Sequence, residues 1–195
     1  LKAIRFATNR RVLAEAGESV ERFLGSGVSE LGEKLGPILW QFAPTKKFDA
    51  DDFGAFLGLL PEKQDGVALR HAVEVRNPSF IAPEFVALAR KHSVAIVYAD
   101  HEKYPAIADI TGDFVYARLQ TGEDEIPTCY APAGLDAWAA RVKIWAEGKA
   151  PADLTRADPA NDAPVRPRDV FVYFISSGKI RAPHGAIALM ERLRT

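Results

Sequence analysis

His71-Ala-Val-Glu-Val-Arg-Asn-Pro-Ser-Phe80 has the pattern of a buried β-strand that carries charges in its middle. Because side chains alternate across a strand, Glu74 and Arg76 share one face while Val73 and Val75 share the other. The proline that follows ends the strand, since it has no N–H to give to a sheet. An open sheet would expose this polar face, whereas a barrel turns it inward. Charges near the carboxyl end of a strand are typical of barrel enzymes.

Strand patterns alternate with helical patterns on both sides of this stretch. The predicted strands lie near residues 38–42, 71–77, 94–100, 114–120 and 170–175. Such alternation indicates parallel strands joined by right-handed crossovers, and therefore an α/β fold. No glycine-rich phosphate-binding motif follows any of these strands, which weakens the nucleotide-binding open sheet. Arg118 and Gln120 repeat the inward polar pattern, so a barrel is favoured over the open doubly wound sheet, which stays as the alternative.

The chain is shorter than a complete eight-stranded barrel of about 250 residues. With a further strand expected within residues 1–6, roughly six of eight strand–helix units are present. We therefore predict one TIM-barrel-like domain over residues 1–195, incomplete at its N-terminus, in a gene product that extends upstream. The strands near 38 and 170 should then not pair. Residues 148–168, which are rich in Pro, Ala and Asp, are predicted to form a long mobile loop.

Composition and charge exclude several classes of protein. The 195 residues are 48% hydrophobic and 26% charged, which is ordinary for a globular domain. A net charge of −1 gives no general attraction to nucleic acid or to an acidic membrane, and the apolar runs are too short to span a bilayer. The single cysteine, Cys129, excludes an internal disulfide framework. We expect a cytoplasmic protein without nucleic-acid or membrane partners.

Five segments, in order, make the chain similar to the YecE-like family of uncharacterised proteins (domain of unknown function 72). They are Lys2-Ala-Ile-Arg-Phe-Ala-Thr8, Leu35-Gly-Pro-Ile-Leu-Trp-Gln-Phe42, Ala72-Val-Glu-Val-Arg76, Tyr116-Ala-Arg-Leu119 and Val172-Tyr-Phe174. The resemblance implies a barrel related to the eight-stranded (β/α) type, and it implies no particular reaction.

The chain departs from the pattern of that family at three positions. Gln120 and Asn9 stand where the family usually has histidines, and His184 stands where an asparagine is common. The opening segment of the family, which contains glycine, tryptophan and tyrosine, is missing. These departures suggest a divergent member.

The polar residues at the predicted strand ends define a candidate site at the carboxyl-terminal mouth of the barrel. Arginine donors suit carboxylate or phosphate, and a carboxylate can serve as general acid or base. We predict Glu74 and Asp100 as catalytic residues. The predicted ligand-binding residues are Gln41, Arg76, Asn77, Arg118, Gln120 and His184. The alternative is that Glu74 and the arginines form a buried ion network with a purely structural role.

A metal site is the other chemistry that these strand ends suggest. Asp100, His101, Glu74 and His184 carry ligand atoms that suit zinc, manganese or magnesium, but no His-x-x-x-His or paired-carboxylate spacing supports such a site. We predict no metal and no cofactor. Two functions stay open: an enzyme of hydrolase or isomerase type acting on a small anionic or polyhydroxylated ligand, and a non-catalytic binding or partner-interaction barrel that has lost site histidines.

Overall fold

Five parallel strands form the main sheet of the computed structural model, which describes residues 1–175 and 178–194. The strands are β1 (Ile38–Gln41), β4 (His71–Glu74), β5 (Ala95–Asp100), β6 (Phe114–Leu119) and β7 (Asp169–Phe174). Their spatial order in the sheet is β1-β4-β5-β6-β7. A separate antiparallel hairpin consists of β2 (Lys63–Gln64) and β3 (Val67–Ala68). All five predicted strands are present, although the one predicted at 71–77 ends at Glu74.

Helices occupy most of the connections between these strands. They are α1 (Arg5–Thr8), α2 (Gly17–Leu24), α3 (Ala50–Gly58), α4 (Pro83–Lys91), α5 (Pro132–Ala146) and α6 (Ala182–Arg194), with 3₁₀ turns at Leu13–Ala16, Val28–Lys34 and Pro78–Phe80. Gly27 separates α2 from the turn that follows, because its φ of 93° lies in the left-handed region that favours glycine. At the start of α3, the Asp49 carboxylate accepts a hydrogen bond of 2.9 Å from the Asp52 amide.

Among the described residues the helices cover only one face of the sheet, which we call the outer face. There Trp40 and Val73 pack against α2, α3 and α4, and Val115 and Ala117 pack against α5 and α6. The opposite face, the inner face, buries a cluster made only of strand residues: Leu39, Ala72, Ala95, Val97, Phe114 and Tyr116, with Phe171 beside them. A doubly wound sheet carries helices on both faces, so this one-sided arrangement does not match that alternative.

The sheet curves toward its inner face. Arg70, just before β4, donates a 2.8 Å hydrogen bond to Asp169 at the start of β7, although two strands lie between them. Three flat strand spacings would separate those positions by about 14 Å. Within the described residues the strands do not close into a ring. As predicted, β1 and β7 lie at opposite ends of the sheet order, and the outer edge of β1 instead forms a parallel bridge with Lys2.

Residues 148–168 contain no helix or strand, in agreement with the prediction of a long loop. Hydrogen bonds nevertheless attach the loop to the rest of the fold, and its mobility stays a prediction. The buried carboxylate of Asp109 accepts hydrogen bonds from the amides of Ala157 (2.6 Å) and Asp158 (3.2 Å), and Arg90 reaches the carboxylate of Asp158 at 2.9 Å. Buried Arg168 donates to four backbone carbonyls, one of which, that of Gly112, lies outside the loop.

Among the described residues, no helix has both the length and the apolar character that crossing a membrane requires.

Candidate functional site

A fully buried carboxylate, Glu74, lies at the centre of the polar residues on the inner face. It is 0% exposed and accepts hydrogen bonds from three side chains. Gln41 Nε2 lies 3.0 and 3.1 Å from its two oxygens, and Arg76 Nε lies 2.8 Å from Oε1. Arg118 Nη1 donates to Oε2. The prediction that Glu74, Arg76 and Arg118 share the inward face is thereby confirmed.

Strand register brings these residues together. Gln41 is the register partner of Glu74, so their side chains lie side by side on the same face. Arg118 is two strands away on β6, where its register partner on β5 is Ala99. Because Ala99 offers only a methyl group on this face, the Arg118 side chain can pass over β5 and reach Glu74.

The cluster carries more positive than negative charge. Burial alone would raise the pKa of Glu74, but Arg118 and then Arg76 outweigh it and hold that pKa below its ordinary value. Glu74 is therefore an ionised carboxylate at neutral pH. Lys2 adds a third cation, because its Nζ donates a 2.8 Å hydrogen bond to Gln41 Oε1.

Both arginines keep donors that Glu74 does not use. The side chains of Arg76 and Arg118 are 21% and 14% exposed. Arg76 bonds Glu74 through Nε and Arg118 bonds it through Nη1; among the described residues, the other guanidinium N–H groups have no hydrogen-bond acceptor. An arginine fork of this kind can bind a carboxylate or a phosphate.

Aromatic rings flank the two arginines. The Cζ atom of Arg76 lies 4.5 Å from the ring centre of Tyr104, and the ring of His101 stacks on that tyrosine with the ring centres 4.1 Å apart. Near Arg118, Tyr116 stacks on Tyr173 at 4.8 Å. Burial, followed by the proximity of Tyr173, raises the pKa of Tyr116, and Arg118 opposes that rise. Tyr116 is therefore neutral at physiological pH.

The structure does not bring the Asp100 side chain to Glu74, although both were predicted as catalytic residues at one mouth of the barrel. Position 100 has the alternation of Ile96 and Tyr98, so its side chain leaves the strand on the outer face. There its Oδ2 accepts hydrogen bonds from Thr121 Oγ1 at 2.6 Å and from the Tyr130 hydroxyl at 3.0 Å.

Three of the predicted ligand-binding residues lie outside the Glu74 contacts described above. The Asn77 side chain accepts from the Ser79 amide and donates to the Pro44 carbonyl, so it shapes the loop that follows β4. Gln120 is buried directly after β6, where its backbone N–H donates a 3.1 Å hydrogen bond to the backbone carbonyl of Asp100. His184 lies exposed in the first turn of α6.

Of the residues once considered as metal ligands, Glu74 is held by arginines and His101 accepts a hydrogen bond from the Lys103 amide through Nδ1. Across residues 1–175 and 178–194, no group of three or more His, Cys, Asp or Glu side chains is arranged to hold a metal ion.

Sequence reasoning missed Lys2, Tyr104 and Tyr130. Lys2 pairs with Leu39 of the inner face through a single β-bridge, which is too short to show an alternating pattern in the sequence. The two tyrosines lie in loops, where no periodicity signals a contact; a search for aromatic residues directly after strand ends would have found Tyr104.

The chain resembles known proteins in family and in fold. No curated protein matches the chain significantly. A solved structure of a DUF72 family protein from Thermotoga maritima is similar, with a TM-score of 0.66 and 18% identity over 92% of this chain and 66% of that one. The chain thus spans slightly less than two thirds of that protein. The family model described as "Protein of unknown function DUF72" matches residues 1–195, and the chain therefore belongs to the DUF72 family.

Proposed function

We propose that the Glu74 cluster binds the anionic group of a small molecule at the carboxyl ends of the strands. One observation carries this proposal: two partly exposed arginines share a single buried carboxylate and keep N–H donors that no described residue accepts. Glu74, which itself accepts from Gln41, holds the arginines in place, so little side-chain freedom is lost when an anion binds. A carboxylate suits the planar guanidinium best, because two parallel hydrogen bonds can form.

The geometry supports binding more strongly than acid–base catalysis by Glu74. A general acid or base at neutral pH needs a pKa near 7, whereas the arginines move the pKa of Glu74 downward. Its oxygens are also occupied by three donors. The role that we propose for Glu74 is to position the arginines.

We further propose that the sheet is part of a (β/α) barrel of the TIM type. Parallel strands with helices on one face only, and an inner face that curves and is filled by strand residues, support this reading. In such barrels, binding sites lie at the carboxyl ends of the strands, which is where the Glu74 cluster lies.

Calorimetric titration with malonate at low ionic strength tests the proposed site. Arg118→Met removes the charge and keeps most of the apolar stem, and we expect it to weaken malonate binding at least tenfold, about 1.4 kcal/mol. Arg141→Met is the matched control, because Arg141 also pairs with a carboxylate (Asp153, 2.8 Å) and lies 4.3 Å from an aromatic ring (Trp138), away from the site. Unchanged malonate affinity in Arg118→Met would reject the proposal and leave the cluster a structural role.

A further inference from the structure

A second basic feature lies at the same end of the sheet, in a cavity of about 670 Å³ between two loops. One segment, residues 8–11, begins at the last residue of α1, and the other, residues 43–47, follows β1. The cavity is lined by Thr8, Asn9, Arg10, Arg11, Ala43, Thr45, Lys46 and Lys47. Four of these eight residues are cations, none is an acid, and the volume is in the range of small-molecule sites.

Lys46 is the one cation of this lining that forms an ion pair among the described residues, and its partner is Asp52. Asp52 accepts hydrogen bonds from Lys46 (2.7 Å) and from the amides of Leu13 (2.6 Å) and Ala14 (3.1 Å). Burial opposes these contacts, but together they lower the pKa of Asp52, which is therefore ionised. Lys46 also donates to the Arg11 carbonyl at 2.9 Å, so it ties the two loops together.

The other three cations have no acidic partner. Among the described residues, no ion pair forms with Arg10, Arg11 or Lys47, and the Arg10 guanidinium has a single hydrogen bond, from Nη2 to Ser19 Oγ at 3.1 Å. The Nε of Arg10 is buried and has no acceptor among those residues. An anion in the cavity would supply the opposite charge that the three cations of its lining lack.

From this geometry we infer a second anion site, which binds the phosphate or diphosphate group of a small molecule. Three unpaired cations exceed the charge of one carboxylate and match that of a diphosphate. Hydroxyl groups of Thr8 and Thr45 and the amide of Asn9 lie in the same lining and can complete the hydrogen bonds. The site is distinct from the Glu74 cluster, whose residues do not line the cavity.

Titration with inorganic pyrophosphate at low ionic strength tests this inference. The double variant Arg11→Gln/Lys47→Gln removes two exposed cations and should weaken pyrophosphate binding about tenfold. The control Lys143→Gln/Lys149→Gln removes the same charge on and just after α5 and should change the affinity less than twofold. Arg10→Gln should weaken binding as well, and shifts of the Asn9 and Lys47 amide NMR signals on titration should map the ligand.

Several outcomes would overturn the inference. Equal losses in the two double variants would mean general attraction to positive charge. A loss in Arg118→Met alone would place pyrophosphate at the Glu74 cluster. The absence of binding to the wild-type protein would exclude the site, and it would leave malonate binding at Glu74 unaffected.

Discussion

Glu74 and Arg118 form an ion pair across a strand that contains neither of them. Glu74 ends β4, Arg118 lies on β6, and β5 runs between the two. Ala99 is 1% exposed and is the register partner of Arg118. Because its methyl group is small, we attribute the reach of Arg118 across β5 to this alanine.

A larger side chain at position 99 should break this ion pair. We expect Ala99→Leu to cost about 1–3 kcal/mol of unfolding free energy through overpacking, and to abolish malonate binding because Arg118 is displaced. Denaturant unfolding and calorimetry measure the two effects. Ala99→Gly is the control: it keeps the path open and should cost only about 0.5–1 kcal/mol, with malonate binding retained. Full binding in the leucine variant would show that Arg118 does not need this path.

The ion pair should also appear as an energetic coupling. In a double-mutant cycle with Glu74→Gln and Arg118→Met at pH 7, we expect a coupling free energy of about 1–3 kcal/mol, since both groups are largely withdrawn from water. Denaturant unfolding of the four proteins gives the value. Additive effects of the two substitutions would contradict the pair as the structure shows it.

The pH dependence of that coupling has a definite sign. The pKa of Glu74 is lower in the folded protein than its ordinary value of about 4.5. Around that pH the folded protein therefore binds fewer protons than the unfolded chain does. The stabilisation is present above pH 4.5 and is lost as the pH falls through the folded-state pKa. The stability difference between wild type and Glu74→Gln should therefore shrink below pH 4.5. A difference that stays constant down to pH 3 would mean that the charge of Glu74 contributes nothing.

Much of the fold was predictable from local sequence pattern. The valines around Glu74 and the apolar run before Asp100 mark strands because burial imposes a regular spacing. Strand parity alone placed Glu74, Arg76 and Arg118 on one face. The closure of a barrel was not predictable in the same way, since it depends on curvature and on which strands meet at the edges.

The site was predictable only where parity was applied to every residue. Asp100 was grouped with Glu74 because both residues end strands. Ala72 on β4 pairs with Ala95 on β5, so the even-numbered residues of β4 and those of β5 lie on opposite faces. Asp100 therefore lies on the face opposite to Glu74. Register between strands is set by crossover geometry, and a single sequence does not reveal it. The anchors of the loop at 148–168, Asp109 and Arg90, were not predictable for a related reason, because they are distant from it in sequence.

Removal of the Asp109 carboxylate charge should loosen that loop. Asp109→Asn leaves one acceptor for the amides of Ala157 and Asp158 and weakens the contact with Arg156. We expect faster amide hydrogen exchange and faster proteolysis within residues 148–168, with β5 and β6 unchanged. Asp162→Asn is the control, because that side chain is 82% exposed and pairs only at the surface. Equal protection in wild type and Asp109→Asn would show that the anchor does not hold the loop.

A second pH effect should come from His71, in a different window. Its Nδ1 accepts a hydrogen bond from Trp40 Nε1 at 3.1 Å, and its Nε2 lies 2.8 Å from the Pro61 carbonyl, so the buried ring is neutral. Burial lowers the pKa of His71 below 6.5, although the Pro61 carbonyl opposes this. The unfolded chain then binds the proton more readily, and stability should fall as the pH drops below 6.5.

His71→Gln should reduce the loss of stability between pH 7.5 and 5.5 by at most about 1.4 kcal/mol, the contribution of one unfolded-chain histidine that takes up a proton over this range. Part of the slope should remain, because burial and then Lys91 also lower the pKa of His92. Urea unfolding at three pH values measures the slope. His184→Gln changes an exposed histidine and should leave the slope as in wild type. If His71→Gln keeps the full wild-type slope, a group other than His71 takes up the proton.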